Sequence, residues 1–333
     1  MTEATAIELD GQYRQLREEC GLLDRPERGK LLLAGPDAAE YLQGQLTNDV
    51  EGLAPGEGCY AALLDRKGHM QGDMRVLRLA PDEVWLDTEP EALEAVRRHL
   101  ATYKIGREVE VGDVSAERAI LSLVGPRSAE LAGTAVLPEF ASERVKIDGV
   151  ECLAVGTRDG VDLIVGPPNA HSGNDDSTEI AAGDAAERLR EALLAAGAAE
   201  VAAAAAEVLR IEAGVPRFGA EMSSETMPAE AGIVERAVDF EKGCYIGQEP
   251  VARLHYKGKP NRHLRGLELS APVEPGTALR LGEKEVGRVG SSCLSPARGP
   301  IALAIVRREA EPGAELAAGE AGVTARVVDL PFG

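Results

Sequence analysis

Two stretches of this sequence follow the same plan, and they constrain the fold more than any other feature. In each, a short apolar run meets a Gly-Pro turn and then a helical pattern: "LLLAGPDAAEYL" from Leu31 and "LSLVGPRSAEL" from Leu121. A fainter copy, "LIVGPPNA", begins at Leu163. An apolar run followed by a turn and a helical period is typical of a strand leading into a helix. The repeats therefore predict strand–turn–helix units duplicated within one α+β domain.

The first unit also indicates where its helix begins and which face it buries. We predict a buried strand over residues 30–34, followed by a Gly-Pro turn. Asp37 is a favourable N-cap residue, and Glu40 three positions later completes a pattern like the capping box. The apolar residues that follow recur at helical spacing, which predicts one buried face made of Ala38, Tyr41, Leu42 and Leu46.

The apolar pattern predicts further strands and helices between and after the repeats. "CYAALLDRKGHMQGDMRVLRL" predicts two strands joined by a turn at residues 66–68, "EVWLDT" predicts another strand, and Pro90 starts a helix. Two more helices are predicted over residues 185–196 and 199–213, each ended by a glycine. The polar, acidic stretch 171–184 is predicted to be an exposed loop.

The pattern of apolar and turn residues changes near Arg262. From there, short apolar runs are separated by Gly/Pro turns every eight to twelve residues or so, which is typical of a small all-β barrel or sandwich. We therefore place a domain boundary there, with residues 1–261 as the first domain and 262–333 as a C-terminal β-barrel.

The charge balance narrows the range of partners. The chain has 56 acidic and 36 basic residues, a formal net charge of -20. Nucleic acid and anionic membrane would be repelled at long range, so neither is expected as a partner. An acidic surface with few lysines indicates a salt-rich cytoplasm. Aromatic residues make up only 3% of the chain, which argues against a large interface and favours a monomer.

The cysteine and histidine spacing indicates a reducing compartment and no metal site. The five cysteines are scattered without a C-x-x-C pair, and the five histidines show no metal-ligand spacing. The N-terminal stretch lacks the pattern of a secretion signal, and no apolar run is long enough to span a bilayer. We expect a cytoplasmic protein. Motifs for dinucleotides, nucleoside triphosphates and hydrolytic serine or zinc chemistry are absent from the sequence.

One passage gathers positive charge around a thiol: "EKGCYIGQEPVARLHYKGKPNRH", residues 241–263. Pro250 and Glu249 suit the first turn of a helix, so we predict that a helix opens near Gln248. The thiol of Cys244 would then lie just before a helix N-terminus, where partial positive charge favours a nucleophilic thiolate. The alternative is a small residue in a turn with no chemistry.

Two carboxylates are further candidates for chemistry. Glu212 lies near the predicted C-terminus of a helix, where the macrodipole disfavours it unless it meets a cation or a ligand. It is otherwise an ordinary surface glutamate. Asp73 begins an apolar strand, and it is either a turn carboxylate or a functional acid.

With these residues in view, the sequence resembles the YgfZ-type folate-binding proteins, which are relatives of the glycine-cleavage T-protein, an aminomethyltransferase. "KGCYIGQEPVAR" is similar to the YgfZ signature, "YLQGQLTNDV" to an early helix of the family and "LRIEAGVPRFG" to its central pterin-site region. "EKEVGRVGSSCLSP", "IALAIVRR" and the final "LPF" resemble the C-terminal barrel of the superfamily. The likeness covers nearly the whole chain.

The resemblance implies a fold and a ligand. The fold is a T-protein-like core of α/β modules, including a ferredoxin-like part, around a central cavity, followed by a β-barrel. The ligand is tetrahydrofolate or a formyl or methylene derivative, with its pterin ring near Glu212 and its glutamate tail near the basic stretch. The residues implied in folate binding are Glu212, Lys242, Tyr245, Gln248, Glu249, Arg253 and Asn48, and the residues implied in catalysis are Cys244 and Asp73.

Two differences from the aminomethyltransferases favour a role like that of the YgfZ-type proteins. The resemblance implies that aminomethyltransferases carry two adjacent aspartates where this chain has Gly72 and Asp73, and that they lack a cysteine at position 244. Our leading hypothesis is therefore a folate-binding factor that supports iron–sulfur enzymes, including those that modify tRNA. The alternatives are an aminomethyltransferase of glycine cleavage that uses Asp73, and a non-catalytic scaffold of the same fold.

Overall fold

The computed structural model describes residues 3–166, 182–320 and 322–332 of the chain. The helices within these ranges are α1 (Glu3–Glu18), α2 (Ala38–Gln43), α3 (Pro90–Tyr103), α4 (Ser128–Ala132), α5 (Ala182–Ala195), α6 (Ala203–Glu212), α7 (Val234–Ala237) and α8 (Gln248–Lys257). The strands are β1 (Gly21–Asp24), β2 (Gly29–Ala34), β3 (Gly58–Leu64), β4 (Met70–Ala80), β5 (Glu83–Thr88), β6 (Glu110–Asp113), β7 (Ala119–Val124), β8 (Ser142–Ile147), β9 (Val150–Thr157), β10 (Gly160–Val165), β11 (Ala199–Glu200), β12 (Arg262–Leu269), β13 (Ala278–Leu281), β14 (Lys284–Ser295), β15 (Gly299–Arg307), β16 (Glu315–Ala318) and β17 (Val323–Val328).

These strands form two open sheets and a closed barrel. The first sheet has the order β11-β1-β7-β10-β9-β8, and the second has the order β3-β4-β5-β2-β6. The barrel has the order β12-β15-β14-β13-β16-β17, and β17 pairs back onto β12. The α+β core with a C-terminal β-barrel expected from the sequence is confirmed. We retain the division into residues 1–261 and 262–333 as a proposal, since the first barrel strand begins at Arg262.

The second sheet packs its inner face against α2 and α3. Leu31, Leu33, Met74 and Leu86 from the strands are almost fully buried in this core. Tyr41 of α2 joins the same cluster, and its hydroxyl donates to the carbonyl oxygen of Leu100 in α3 at 2.7 Å. Because burial of large apolar side chains is the main favourable term in folding, this cluster holds β4 in a defined position.

The two sheets meet across a small apolar layer and a buried ionic network. Arg75 on β4 contacts Asp87 on β5 at 2.7 Å and Asp162 on β10 of the other sheet at 2.7 Å. Arg28 also contacts Asp87, at 2.5 Å, and the indole nitrogen of Trp85 donates to the same carboxylate at 3.0 Å. Burial alone would raise the pKa of Asp87, but the adjacent Arg75 and Arg28 hold that pKa well below its usual range.

The barrel is joined to the core mainly through α6. The hydroxyl of Ser295 on β14 donates to the Glu212 carboxylate at 2.5 Å, and Arg210 donates to the Ser291 hydroxyl at 2.5 Å. Ile211 of α6 packs in a cluster with Ile301 and other apolar residues of the barrel. The C-terminal end of α6 is therefore enclosed on one side by the barrel.

Most predicted elements are present, with three local corrections. Asp37 stands at the N-cap position of α2, but its carboxylate accepts from the backbone nitrogen of Glu108 at 2.8 Å, so the predicted capping box is wrong. Glu40 contacts Arg107 instead. The helix predicted from residue 199 begins at Ala203, because Ala199–Glu200 pairs in parallel with β1.

The third correction concerns the predicted acidic loop. Residues 182–184 belong to α5, which begins three residues earlier than the predicted helix. The remainder of that loop, residues 171–181, lies outside the described residues, as does most of the third copy of the Gly-Pro turn.

The ionic network predicts acid-sensitive stability. Asp87→Asn removes one charge and leaves two buried arginines without their shared carboxylate, so we expect a loss of about 3–5 kcal/mol in the free energy of unfolding. Because the folded-state pKa of Asp87 is depressed, the contribution is present above the usual aspartate pKa of about 3.9 and is lost as the pH falls through the folded value.

Urea denaturation as a function of pH measures this loss. Asp10→Asn is the control, because Asp10 forms an exposed pair with Arg14 and we expect only a small change there. Equal stability of Asp87→Asn and the wild type at neutral pH would contradict the role of the network.

Candidate functional site

A cavity of about 460 Å³ lies where the two sheets, α6 and the segment around α7 meet. We call it the central cavity, and its polar lining includes Arg28, Tyr60, Asp73, Arg75, Asp162, Glu207 and Arg236. Leu23, Met74, Phe140 and Ile233 are among its apolar lining residues. A concave pocket of this size with a few convergent polar groups is typical of a small-molecule site.

Asp73 on β4 is a carboxylate of this cavity that has capacity to bind a ligand. Its Oδ2 accepts a hydrogen bond from the Tyr60 hydroxyl at 2.7 Å, whereas its Oδ1 is buried with no hydrogen-bond partner among the described residues. Burial raises the pKa of Asp73 to about 6, although the Tyr60 hydroxyl and Arg28 oppose the rise. A buried oxygen without a partner is costly unless a ligand or water satisfies it.

The packing around Gly72 explains why this position, directly before Asp73, carries no carboxylate. Side chains alternate along β4, so residue 72 faces α3 rather than the cavity. A Cβ atom at Gly72 would lie 2.8 Å from both the Cβ of Ala92 and a methyl carbon of Val96. The close packing of α3 on β4 therefore excludes a second aspartate here.

Tyr60 is fixed between Asp73 and a guanidinium group. The ring of Tyr60 on β3 lies 5.5 Å from the guanidinium carbon of Arg236, within range of a cation–π contact. Arg236 also contacts Glu139 at 2.6 Å. Burial, together with Asp73, raises the pKa of Tyr60 well above its usual value, so the hydroxyl remains a hydrogen-bond donor.

A second cavity of about 540 Å³ adjoins the central one, and we call it the adjoining cavity. The two share lining residues in β7, β9 and α6 and the β9–β10 turn, namely Val124, Thr157, Arg158, Asp159 and Leu209. Glu212 lines the adjoining cavity. Its carboxylate is occupied by the protein itself, accepting from Arg17 at 2.8 Å, Tyr13 at 3.1 Å and Ser295 at 2.5 Å.

Residues 242–253, "KGCYIGQEPVAR", which we call the signature segment, have the local structure that the sequence predicted. The helix α8 begins at Gln248 as expected, and its N-cap Gly247 has φ 83°, a left-handed conformation that favours glycine. Cys244 is exposed and forms no disulfide. Tyr245 is buried with no partner for its hydroxyl among the described residues, and burial raises its pKa to about 12.

Lys242 lies in the same segment but contacts backbone rather than a pocket. Its Nζ donates to the carbonyl oxygens of Gln43, Leu46 and Asn48 at 2.7, 2.7 and 2.8 Å. Loss of hydration lowers the pKa of Lys242 to about 8. An ammonium group has three protons, so these contacts account for all of them.

The structure brings few of the predicted site residues together. Asp73 lines the central cavity and Glu212 lines the adjoining cavity. The other predicted residues line neither of these two cavities: Cys244, Lys242, Tyr245, Gln248, Glu249, Arg253 and Asn48. Glu249 and Arg253 are exposed on α8. The roles assigned to these residues from the sequence stay predictions.

Sequence reasoning missed the residues that surround Asp73 in the central cavity, among them Arg28, Tyr60 and Arg236. The predicted hairpin contained a usable signal for one of them. Ala62 pairs with Asp73, so Tyr60 is a diagonal neighbour of Asp73 on the same face of the sheet. Arg28 and Arg236 carry no local pattern that separates them from surface arginines.

Metal-binding clusters and membrane-spanning helices are absent from the part of the chain that the structure describes. Within it, no cluster of three or more histidine, cysteine, aspartate or glutamate side chains is arranged to hold a metal ion. None of the described helices has both the length and the apolar character needed to cross a membrane.

Known proteins resemble this chain over nearly its full length. A family described as the GCVT N-terminal domain matches residues 5–242, and the glycine cleavage T-protein C-terminal barrel domain matches residues 262–332. The aminomethyltransferase of Rubrobacter xylanophilus is 31% identical over 97% of this chain and 86% of its own length. That of Listeria welshimeri is 30% identical over 97% and 89%.

A solved structure extends the likeness to the fold. The crystal structure of glycine cleavage system aminomethyltransferase T from Bartonella henselae matches with a TM-score of 0.82 and 25% identity, over 98% of this chain and 89% of that one. Fold and cavity define a two-part protein with a mixed α/β core and a C-terminal barrel. The chain belongs to the glycine cleavage T-protein family. Membership of the T-protein superfamily, inferred from the sequence, is confirmed.

The raised pKa of Asp73 predicts that this residue destabilises the protein at neutral pH. Because the folded form holds its proton up to about pH 6, stability falls as the pH rises between the unfolded and folded pKa values. We expect Asp73→Asn to be more stable than the wild type by about 1–3 kcal/mol above that range, and no more stable below about pH 4.

Urea denaturation of both proteins at about pH 4 and about pH 8 measures the difference. A lower or equal stability of Asp73→Asn at the higher pH would show that Asp73 is not held in a desolvated site.

Proposed function

We propose that this protein is a folate-dependent aminomethyltransferase of the T-protein type. The observation that carries the proposal is Asp73, which lines the central cavity and whose buried Oδ1 has no hydrogen-bond partner among the described residues. Family membership and the names of the relatives support the same function. Folate binding is consistent with this cavity, because its volume of about 460 Å³ falls within the usual range for small-molecule sites.

The residues of the cavity suggest how a folate would be held and activated. Asp73 accepts a hydrogen bond or stabilises positive charge at a ligand nitrogen when ionised, and it donates when protonated. Its pKa of about 6 lets it change between these states near neutral pH, as a general acid–base group must. Tetrahydrofolate, when bound, supplies the nitrogen atoms that take up the one-carbon unit.

The aromatic and cationic neighbours would orient the ligand. Tyr60 donates to one oxygen of Asp73, and the other oxygen has no hydrogen-bond partner among the described residues. Phe140 supplies apolar surface for a flat ring, and Arg236 at the wall supplies a charge suited to a carboxylate. Glu212 is a further candidate for a pterin contact only if its bonds to Tyr13, Arg17 and Ser295 rearrange.

Support of iron–sulfur enzymes, the leading hypothesis from the sequence, has less support. The relatives described above carry the name aminomethyltransferase. Cys244, on which that hypothesis depends, is exposed and lines neither cavity. Nothing in the fold or the relatives points to iron–sulfur or tRNA-modifying partners or to a salt-rich cytoplasm.

The test is an activity assay with an aminomethylated lipoyl carrier protein and tetrahydrofolate as substrates. We expect the wild type to form methylenetetrahydrofolate, and we expect Asp73→Asn to lower kcat/KM by at least about 100-fold, since a general acid–base group contributes about that much. Cys244→Ala is expected to retain nearly full activity, because the thiol is outside both cavities.

Asp82→Asn, in an exposed turn next to the same sheet, is the matched control and is expected to behave like the wild type. Absence of methylenetetrahydrofolate with the wild type would refute the proposal. If calorimetry with 5-formyltetrahydrofolate also showed no binding, a scaffold without folate would remain. If folate bound and Cys244→Ala failed to restore cluster enzymes in a deletion strain, the iron–sulfur hypothesis would replace ours.

A further inference from the structure

In the loop between α2 and β3, the side chain of Asn48 contacts two residues that line the central cavity. The Nδ2 atom of Asn48 donates to the carbonyl oxygen of Tyr60 at 2.9 Å and to that of Arg236 at 3.1 Å. Its Oδ1 accepts from the backbone nitrogen of Asp49 at 2.9 Å. The polar atoms of Asn48 are therefore engaged within the protein, and they join β3 to α7.

The two residues that Asn48 holds are in contact with each other, and one of them, Tyr60, contacts the candidate acid Asp73. Arg236 lies over the ring of Tyr60, and the Tyr60 hydroxyl donates to Asp73. A shift of the Tyr60 backbone would move the hydroxyl away from Asp73. A shift of Arg236 would remove the charge above the ring.

Lys242 holds the same loop from the other side. Its three hydrogen bonds end on the carbonyl oxygens of Gln43, Leu46 and Asn48, at the end of α2 and in the first part of the loop. Buried carbonyl groups that lose a charged donor are costly to leave unsatisfied. The signature lysine is thus connected to the cavity through Asn48, although it does not line the cavity.

We propose that Asn48, held by Lys242, is a positioning residue of the candidate site, which fixes Tyr60 and Arg236 in the cavity wall and so keeps one oxygen of Asp73 bonded and the other free. The proposal replaces direct folate contact, the role expected of Asn48 and Lys242 from the sequence. Its catalytic meaning rests on the proposed function, but the arrangement of Tyr60 and Asp73 is measurable without any ligand.

Thr47 provides a matched control within the same loop. Its hydroxyl donates to the carbonyl oxygen of Ala237 and accepts from the backbone nitrogen of Ala62 at 2.8 Å, so it joins the same two elements, β3 and α7. Neither Ala62 nor Ala237 lines the central cavity. Loss of the Thr47 contacts should weaken the attachment of the loop to β3 and α7 without removing the hydrogen bond between Asn48 and Tyr60.

The first measurement is the pKa of the Asp73 carboxyl group by carbon NMR, with the signal assigned by its absence in Asp73→Asn. The ionisable groups that act on Asp73 are Tyr60 on β3, Arg28 before β2 and Glu89 before α3. Because the Tyr60 hydrogen bond favours the ionised form, its loss raises the pKa of Asp73. We expect an increase in Asn48→Asp, in Asn48→Leu and in Lys242→Met, and none in Thr47→Val.

The second measurement is the Kd for 5-formyltetrahydrofolate by titration calorimetry. We expect Asn48→Asp and Lys242→Met to weaken binding by about tenfold or more, which corresponds to loss of a hydrogen bond to a charged group. Thr47→Val should bind 5-formyltetrahydrofolate as the wild type does, even though we expect its free energy of unfolding to fall by as much as that of the Asn48 variants. Asn48→Leu keeps the test open if Asn48→Asp does not fold.

An unchanged pKa of Asp73 in all Asn48 and Lys242 variants would overturn the proposal, since those contacts would then be only structural. So would equal shifts in Thr47→Val. If the wild type bound no folate while the pKa moved as expected, the proposed function would fail and the positioning role of Asn48 would stand.

Discussion

The contact of Arg75 with Asp87 and Asp162 is the interaction on which the rest of the core depends. It joins β4 to its neighbour β5 and to β10 of the opposite sheet, so one guanidinium sets the separation of the two sheets. Arg28 completes the charge balance around Asp87. Two desolvated cations and two carboxylates are tolerated only with such direct pairing. The central cavity is the space that this network leaves between the sheets.

The same network determines the chemical character of Asp73. Asp73 lies on β4 two residues before Arg75, but the nearby arginines are committed to Asp87, Asp162 and Glu89. Its carboxylate is therefore buried without a dedicated cation, and its pKa rises instead of falling. Neighbouring carboxylates with opposite pKa shifts are a recurring feature of sites that transfer protons. Asp87 has the structural role here, and Asp73 is available for chemistry.

The signature segment acts at a distance from this chemistry. Pro250 and Gly247 pack α8 against the turn between β3 and β4: a Cβ at Gly68 would lie 3.0 Å from Pro250, and one at Gly247 would lie 2.5 Å from the carbonyl oxygen of Asp65. Lys242 holds the loop that carries Asn48. The signature segment therefore packs against the β3–β4 hairpin that carries Tyr60 and Asp73. It can support the site in this way without lining the cavity.

The sequence by itself determined the local strands and helices, the β-rich pattern of the C-terminal domain and the family. Strand, turn and helix of the repeated units are local patterns, and the start of α8 at Gln248 follows from Pro250 and Glu249 within one turn. Only the tertiary structure decided the partners of charged side chains. Asp37 accepts from Glu108, Lys242 donates to a distant loop, and Tyr60 reaches Asp73 because sheet register and packing bring remote residues together. A lysine or aspartate has the same appearance in sequence whether its partner is a ligand, water or backbone. The physical reason is that burial and hydrogen bonding arise from contacts between distant parts of the chain.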